Sequence, residues 1–358
     1  MKKIAFIGCF ILASACLVPL FGSSKVTQYN NAAEWKKWIK YYPPSDKAKE
    51  LLLQHSFPSS DLKNSEDYLW DPRQILLDDN GDVFILDQKW KRLFKINSKG
   101  DFIKKGGREG QGPGEFQNPL CFCMNEKAIF VSDTNKLEIL VFDKDLVFKR
   151  SFKTTKSYMN IASSRNGLLI AAPFRMMRES HLIDVLDDSG KWLYSFADGL
   201  YGNKTSWNIN NFVFIDVNDD NEILLAYWHY PTVCRYDIKG KLLATYEIDN
   251  NIMNRAKKLN DERFSDPDNR ISYQAIWGFH SKAKGFIILI SAPYTRMLEF
   301  DGNGRPIDEY WTARSFDYRA VDFAVKGNAI FILSNAPNAQ VDVFKPKESI
   351  SRSSGELK

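Results

Sequence analysis

Short apolar runs separated by polar turns recur through most of the chain. "VFILD" (83–87), "IFVSD" (129–133), "LLIAA" (168–172), "EILLA" (222–226), "FIILIS" (286–291) and "IFILS" (330–334) each end near a small or acidic residue. A polar loop and a second run follow each: "RLFKI" (92–96), "LEILVFD" (137–143), "HLIDVLD" (181–187), "TVCRYD" (232–237), "RMLEFD" (296–301) and "AQVDVF" (339–344). Turns come next at "NSKG" (97–100), "DSG" (188–190), "DIKG" (237–240) and "DGNG" (301–304), with "DKDL" (143–146) in the same place without its Gly. Asp, Asn and Gly belong there because tight hairpins need positive φ or a local side-chain cap. A third run follows most of these turns, and an apolar segment such as "RQILLDDNG" (73–81) precedes each unit.

The pattern predicts six units of four short strands. The first runs end at 87, 133, 172, 226, 291 and 334, spaced by 46, 39, 54, 65 and 43 residues. A four-stranded sheet takes about 40–50 residues, and radial repetition of such sheets makes a β-propeller. The expected fold is therefore an all-β, six-bladed β-propeller over residues 65–346, with loop insertions in the two long intervals. The sixth unit lacks its last strand, since "KPKESISRSSGELK" (345–358) is polar and residues 347–358 read as a tail. An open ring would leave two bare sheet edges. An N-terminal segment should close it, and "EDYLW" (66–70) and "LLLQHSF" (51–57) are the candidates. Residues 25–64 read as a helical spacer broken at Pro43-Pro44.

Lys2 and Lys3 precede an uncharged apolar run from Ile4 to Phe21, and no acid appears before Glu34. This is the pattern of an export signal, so residues 1–24 are expected to be a signal peptide or a membrane or lipid anchor. "LASAC" places small residues before Cys16, as lipoprotein processing requires. The expected location is periplasmic or membrane-tethered. Cys9 and Cys16 fall in that segment, and Cys121, Cys123 and Cys234 read as buried, inert thiols. A net charge of +5 is spread over 49 basic and 44 acidic residues with no polybasic block, which argues against a nucleic-acid partner.

Residues 78–119, "DDNGDVFILDQKWKRLFKINSKGDFIKKGGREGQGPGEFQNP", combine a turn, V-x-D, a basic residue before an apolar strand, G-x-F and a glycine-rich stretch ending in F-x-x-P. They resemble the NHL-repeat six-bladed β-propellers, including exported bacterial members. The second unit keeps "VSD" and "NKLEILVFD"; the others keep only hydrophobicity and turns. The resemblance implies a binding or scaffold propeller, with a metal-dependent lyase or a lactonase-like enzyme as the alternative. Zinc or calcium would be a cofactor only under that alternative. Such lyases use His from several blades, and lactonases place Glu, Asn and Asp around the channel. No spacing here carries either set onto His55, His181, His229 or His280, and His280 reads as part of an edge turn.

Glycine-rich Gly106–Gly114 is not a phosphate cradle. No helix follows it, and there is no Gly-Lys-Ser/Thr. Its glycines should let one blade cross to the next, with Phe116 plugging the core between blades. Asp87 and Asp133 occupy equivalent strand ends and should bind backbone N–H groups. "DVNDDNE" (216–222) lacks the Gly and the bidentate Glu of a calcium loop and reads as a hairpin turn.

A binding face remains. Loops between the second and third strands emerge on one side of a propeller, together with the crossings between blades. That side should gather Trp90, Arg92, Arg175, Arg178, Trp228, His229, Tyr230, Tyr294, Arg296 and Arg319. Aromatics and Arg anchor interfaces. The planar Arg fork suits carboxylate or phosphate, so the expected ligand is a protein, peptide or glycan, preferably acidic.

Overall fold

The computed structural model describes residues 43–58, 68–174, 181–201, 211–264, 273–291, 294–312 and 319–347. Strand β1 (Lys49–Phe57) comes first, ahead of blade 1 with β2 (Pro72–Leu77), β3 (Val83–Asp87), β4 (Arg92–Ile96) and β5 (Phe102–Gly106). Blade 2 holds β6 (Pro119–Met124), β7 (Ile129–Asp133), β8 (Glu138–Phe142) and β9 (Phe148–Lys153). Blade 3 holds β10 (Tyr158–Ser163), β11 (Leu169–Pro173), β12 (Ile183–Leu186) and β13 (Trp192–Phe196). Blade 4 holds β14 (Val213–Val217), β15 (Ile223–Tyr227), β16 (Thr232–Tyr236) and β17 (Leu242–Glu247), and is followed by helix α1 (Asn251–Phe264). Blade 5 holds β18 (Gly278–Lys282), β19 (Gly285–Ile290), β20 (Arg296–Phe300) and β21 (Pro306–Trp311). Blade 6 has β22 (Arg319–Lys326), β23 (Ala329–Ala336) and β24 (Gln340–Pro346).

Within each blade, strands pair antiparallel in chain order. The innermost strands β2, β6, β10, β14, β18 and β22 neighbour one another in a closed circle. Six buried apolar clusters fill the six gaps between adjacent blades. The second strands sit between two such clusters, so β3, β7, β11, β15 and β19 are buried along their whole length. That double burial explains their unbroken apolar runs, which show no alternation. The outermost strands β5, β9 and β17 are mostly solvated.

The ring closes through β1, which pairs antiparallel with β24 and supplies the fourth strand of blade 6. Residues 51–57 are thus the closing segment, not 66–70. The helical spacer expected over 25–64 is corrected over 49–57, and the ring reaches back beyond residue 65. Edge pairing overrides local preference here, because unpaired N–H and C=O groups of β24 must find partners. Leu51 and Phe57 point into the core, and Lys49 and Glu50 also pair in parallel with Tyr310 and Trp311 of β21.

Turns repeat one device. Asn97, Asp143, Asp187, Asp237 and Asp301 each accept, at Oδ1, the N–H groups two and four residues on. Gly follows at positive φ in four of these turns, whereas Leu146 (φ 58°) takes that place in blade 2. Its side chain is buried between blades 1 and 2, and that burial offsets the cost of a left-handed backbone. Asn221 (φ 62°) likewise closes the 218–221 hairpin as a turn residue, as the sequence suggested. In the glycine-rich crossing, Phe116 is fully buried, and a Cβ on Gly107 would stand 2.1 Å from its ring. The glycine is needed there for close approach, not for a phosphate.

Candidate functional site

Topology puts the loops between second and third strands, and the crossings between blades, on one face. Asp87 and Asp133 build it. Asp87 is fully buried, and its carboxylate accepts N–H groups from Trp70 (2.6 Å), Asp71 (3.1 Å) and Trp90 (3.0 Å). Burial pushes its pKa up, and those backbone bonds oppose the rise. Asp133 does the same for Gln117, Asn118, Asn135 and Lys136. These carboxylates tie each loop to the preceding crossing, so they are structural.

Three features face solvent above this frame. The first is an edge-to-face pair of Trp70 and Trp90, 5.4 Å apart, with Lys89 over Trp70 and Arg92 over Trp90. Trp90 is half-buried and donates its indole N–H to the Tyr68 carbonyl at 2.8 Å, whereas Trp70 is 54% exposed.

The second is an aromatic group between blades 3 and 4. Phe212 stacks on exposed Phe174 at 6.1 Å and meets Trp228 at 5.5 Å, and Phe214 lies 5.1 Å from Trp228. A small cleft of about 10 Å³, room for about one water, lies here, lined by Met159, Pro173, Leu182, Phe212 and Trp228 among others. The Trp228 indole N–H is buried and has no hydrogen-bond partner among the described residues.

The third is a charged group between blades 6 and 1. Arg73 donates to Asp71 at 2.9 Å, and the Asn335 amide reaches Asp71 at 3.5 Å. Arg73 Nε and Asn335 Oδ1 are buried without partners among the described residues. Arg319, the first residue of β22, adds a second guanidinium. Burial lowers its pKa, Arg73 lowers it further, and Asp71 opposes both.

Not all the expected rim residues are exposed. His229 and Tyr230 lie under the crossing that contains α1. Asn260 of α1 donates to the His229 carbonyl (2.8 Å) and the Tyr273 carbonyl (2.9 Å), and His229 Nδ1 lies 3.2 Å from the latter. Burial pulls the His229 pKa down to about 4. Tyr230 stacks flat on Tyr201 at 3.8 Å and is 2% exposed. Tyr294 and Arg296 are also buried, the latter paired with Glu309. These four support the face from beneath. Arg175 and Arg178, like Cys16, lie outside the described residues.

The channel holds residues that the spacing did not reveal. His280 is not on an edge turn. It sits in innermost strand β18, with Nδ1 3.3 Å from Asp216 Oδ2 of β14. Asp216 also accepts the Ser281 N–H at 2.7 Å, and Asp322 of β22 accepts the Ile75 N–H at 3.0 Å. These carboxylates bridge one innermost strand to the next. Burial opposes charging both His280 and Asp216, yet their mutual contact prevails, raising the His280 pKa and lowering that of Asp216. Burial pushes Asp322 up to about 7 against its bonds from Ile75 and Phe323.

A pH dependence follows. Folded Asp322 holds its proton above the unfolded pKa, so its contribution falls as pH rises from about 4 to about 7. The raised His280 pKa acts in the same direction, its contribution being lost as pH climbs through the folded value. Asp216 contributes only above the ordinary carboxylate range. Buried His229 acts the other way, because its contribution grows as pH rises from about 4 through the ordinary imidazole value. The dependence of the urea midpoint on pH between 5 and 8 is therefore read against Asp322→Asn, in which on the order of 1–3 kcal/mol of the wild type's loss should disappear, allowing for solvent in the channel. An unchanged slope in the variant contradicts this assignment.

Among the described residues, no group of three His, Cys, Asp or Glu side chains could hold a metal ion, and Cys121, Cys123 and Cys234 are buried free thiols. No described helix is long and apolar enough to cross a membrane.

Residues 61–251, more than half of the chain, match the DUF5128 family, described as a 6-bladed beta-propeller. The chain belongs to that family. No curated protein matches the propeller by sequence. Among solved structures it is similar to a Bacteroides fragilis protein named as exported (TM-score 0.59, 12% identity, 86% of this chain and 98% of that one). It is also similar to a duf4221 family member from Bacteroides vulgatus (TM-score 0.54, 10% identity, 85% and 99%). A third is catalytically inactive virginiamycin B lyase from Staphylococcus aureus with quinupristin (TM-score 0.52, 14% identity, 83% and 99%). At these identities the likeness is one of fold.

Proposed function

We propose that this propeller, of NHL-repeat type, is an exported binding scaffold that recognises a protein, peptide or glycan through its loop face. The observation that carries the reading is the asymmetry of the ring's two faces. The loop face holds Trp70, Phe174, the Trp228 cleft and the Arg73–Arg319 group, whereas the other is capped by short turns such as 97–101 and 143–147. Exposed aromatics beside arginines on a rigid frame are the residue types that anchor interfaces. A ligand acceptor beside Trp228 would satisfy its indole N–H.

Export is supported by Lys2, Lys3 and the apolar run that follows, and by the name of the Bacteroides fragilis relative. Cys16 is then a candidate lipid attachment point. Recovery of tagged full-length protein in the soluble cytoplasm contradicts export.

Binding is tested on arrays of peptides and oligosaccharides. Trp228→Ala should weaken the tightest complex by about 1–3 kcal/mol, while Lys127→Ala, on the turn face, should leave it unchanged. Equal losses from both variants, or no binding to any array member, contradict the reading. The lyase or lactonase alternative has one observation in its favour, the Asp216–His280 contact in the channel beside Asp322. Stoichiometric zinc or calcium in the purified protein decides for it.

A further inference from the structure

We propose that the Asp71–Arg73–Arg319–Asn335 group is a clamp for a carboxylate with a neighbouring amide N–H, the chemistry of a peptide C-terminus. The inference rests on the loop-face reading and names the ligand chemistry of one part of that face.

The group is unbalanced in charge. Arg73 pairs with Asp71, whose charge also acts on Arg319, and among the described residues no other acid forms an ion pair with either guanidinium. Among the described residues one positive charge is left over in a partly desolvated place. A single carboxylate neutralises it, whereas a dianionic phosphate exceeds it. Repulsion between Arg73 and Arg319 is then relieved by an anion held between them.

Hydrogen-bonding capacity is also left open. Arg73 already uses one terminal nitrogen on Asp71, and its Nε–H is buried with no acceptor. Arginine presents its donors as a fixed fork, so a carboxylate fits where Nε remains free. Asn335 spends its amide nitrogen on Asp71, which turns Oδ1 away as a buried acceptor with no donor. A carboxylate alone answers the first vacancy and not the second. An amide N–H next to the carboxylate answers both, and capture of chain ends by such donor sets is a recurring mode of peptide recognition.

Rigidity favours the clamp. The Asp71 backbone is fixed by its N–H to Asp87 and its carbonyl to the Gln88 N–H (3.0 Å). Arg73 and Arg319 project from innermost strands β2 and β22, and Asn335 from β23. The backbone therefore needs little reordering, and binding asks only for the side-chain movement that opens the buried Nε and Oδ1 to the ligand.

The test is an NMR titration of the arginine Nε–H signals in full-length protein with N-acetylalanine, N-acetylalaninamide and acetate. N-acetylalanine should shift the Arg73 Nε–H signal saturably at millimolar concentration, acetate should do so about tenfold more weakly, and the amide should do nothing. Arg319→Ala, checked for an unchanged melting temperature, should weaken the response to N-acetylalanine about tenfold; Arg319→Lys should recover only part of it. An equal response to the amide, an unaltered titration in Arg319→Ala, or no saturable shift overturns the clamp. A loop-face ligand that needs Trp228 but tolerates amidation of its terminus overturns the clamp alone. N-acetylalanine binding with no array ligand sensitive to Trp228→Ala overturns only the wider reading.

Discussion

A chain beginning at residue 59 should fail to give a cooperative unfolding transition, and a synthetic peptide spanning residues 43–58 should restore it in part. Without β1, blade 6 has three strands, and β24 offers a bare edge to other molecules. Point changes grade the effect. Phe57 is buried in the cluster between blades 6 and 1, and Leu51 in the cluster between blades 5 and 6. Phe57→Ala should cost about 3–5 kcal/mol and Leu51→Ala about 2–5 kcal/mol, whereas exposed Leu52→Ala should be nearly neutral. Urea unfolding of the three variants measures the order. Equal, small losses at all three positions mean that β1 does not close the ring.

The second large effect belongs to Asp87. Its carboxylate holds three backbone N–H groups from two separate segments. Asp87→Ala leaves them buried and unpaired and should destabilise the protein by about 2–4 kcal/mol. It should also loosen the Trp70–Trp90 pair, seen as a red shift in tryptophan emission of the folded state. Asp87→Asn keeps the shape and one acceptor, and should cost about half as much. Stability retained in Asp87→Ala would show that the loops are held by other contacts.

Much of this architecture could be read from the sequence because its causes are local and repeated. The five Asx turns, the equivalent Asp87 and Asp133, and the glycines that make room for Phe116 each act within a few residues of their own position. β1 could not be read in the same way. Of its nine residues only Leu51 and Phe57 are buried, so it lacks the alternation of a half-buried strand. Its conformation is set by β24 and β21, about 300 residues away in sequence. The channel group failed to appear for a related reason. Asp216, His280 and Asp322 come from three different blades and meet only because the innermost strands form a circle. Aligning innermost strands across the repeat was the signal that could have found them.

The rim shows the opposite error. Loop position implies exposure, yet α1 and its crossing cover His229 and Tyr230, and blade 5 encloses Tyr294 and Arg296. Asn250 caps α1 by accepting the Ile252 N–H, and Met253 anchors the helix in the core between blades 4 and 5. Nothing local to "WHYPT" signals that cover. Trp70, Arg73 and Phe212 lie in or beside the apolar segments that precede each unit, so the pattern reads them as strand residues and not as part of the face.

The central claim is that ligands meet the loop face of a closed ring. Amide hydrogen exchange with the tightest array ligand bound tests it most directly. Protection is predicted at 68–71, 88–91, 154–157, 211–213 and 228–231. Protection confined to the turns 97–101, 143–147, 187–191 and 237–241 would contradict the account.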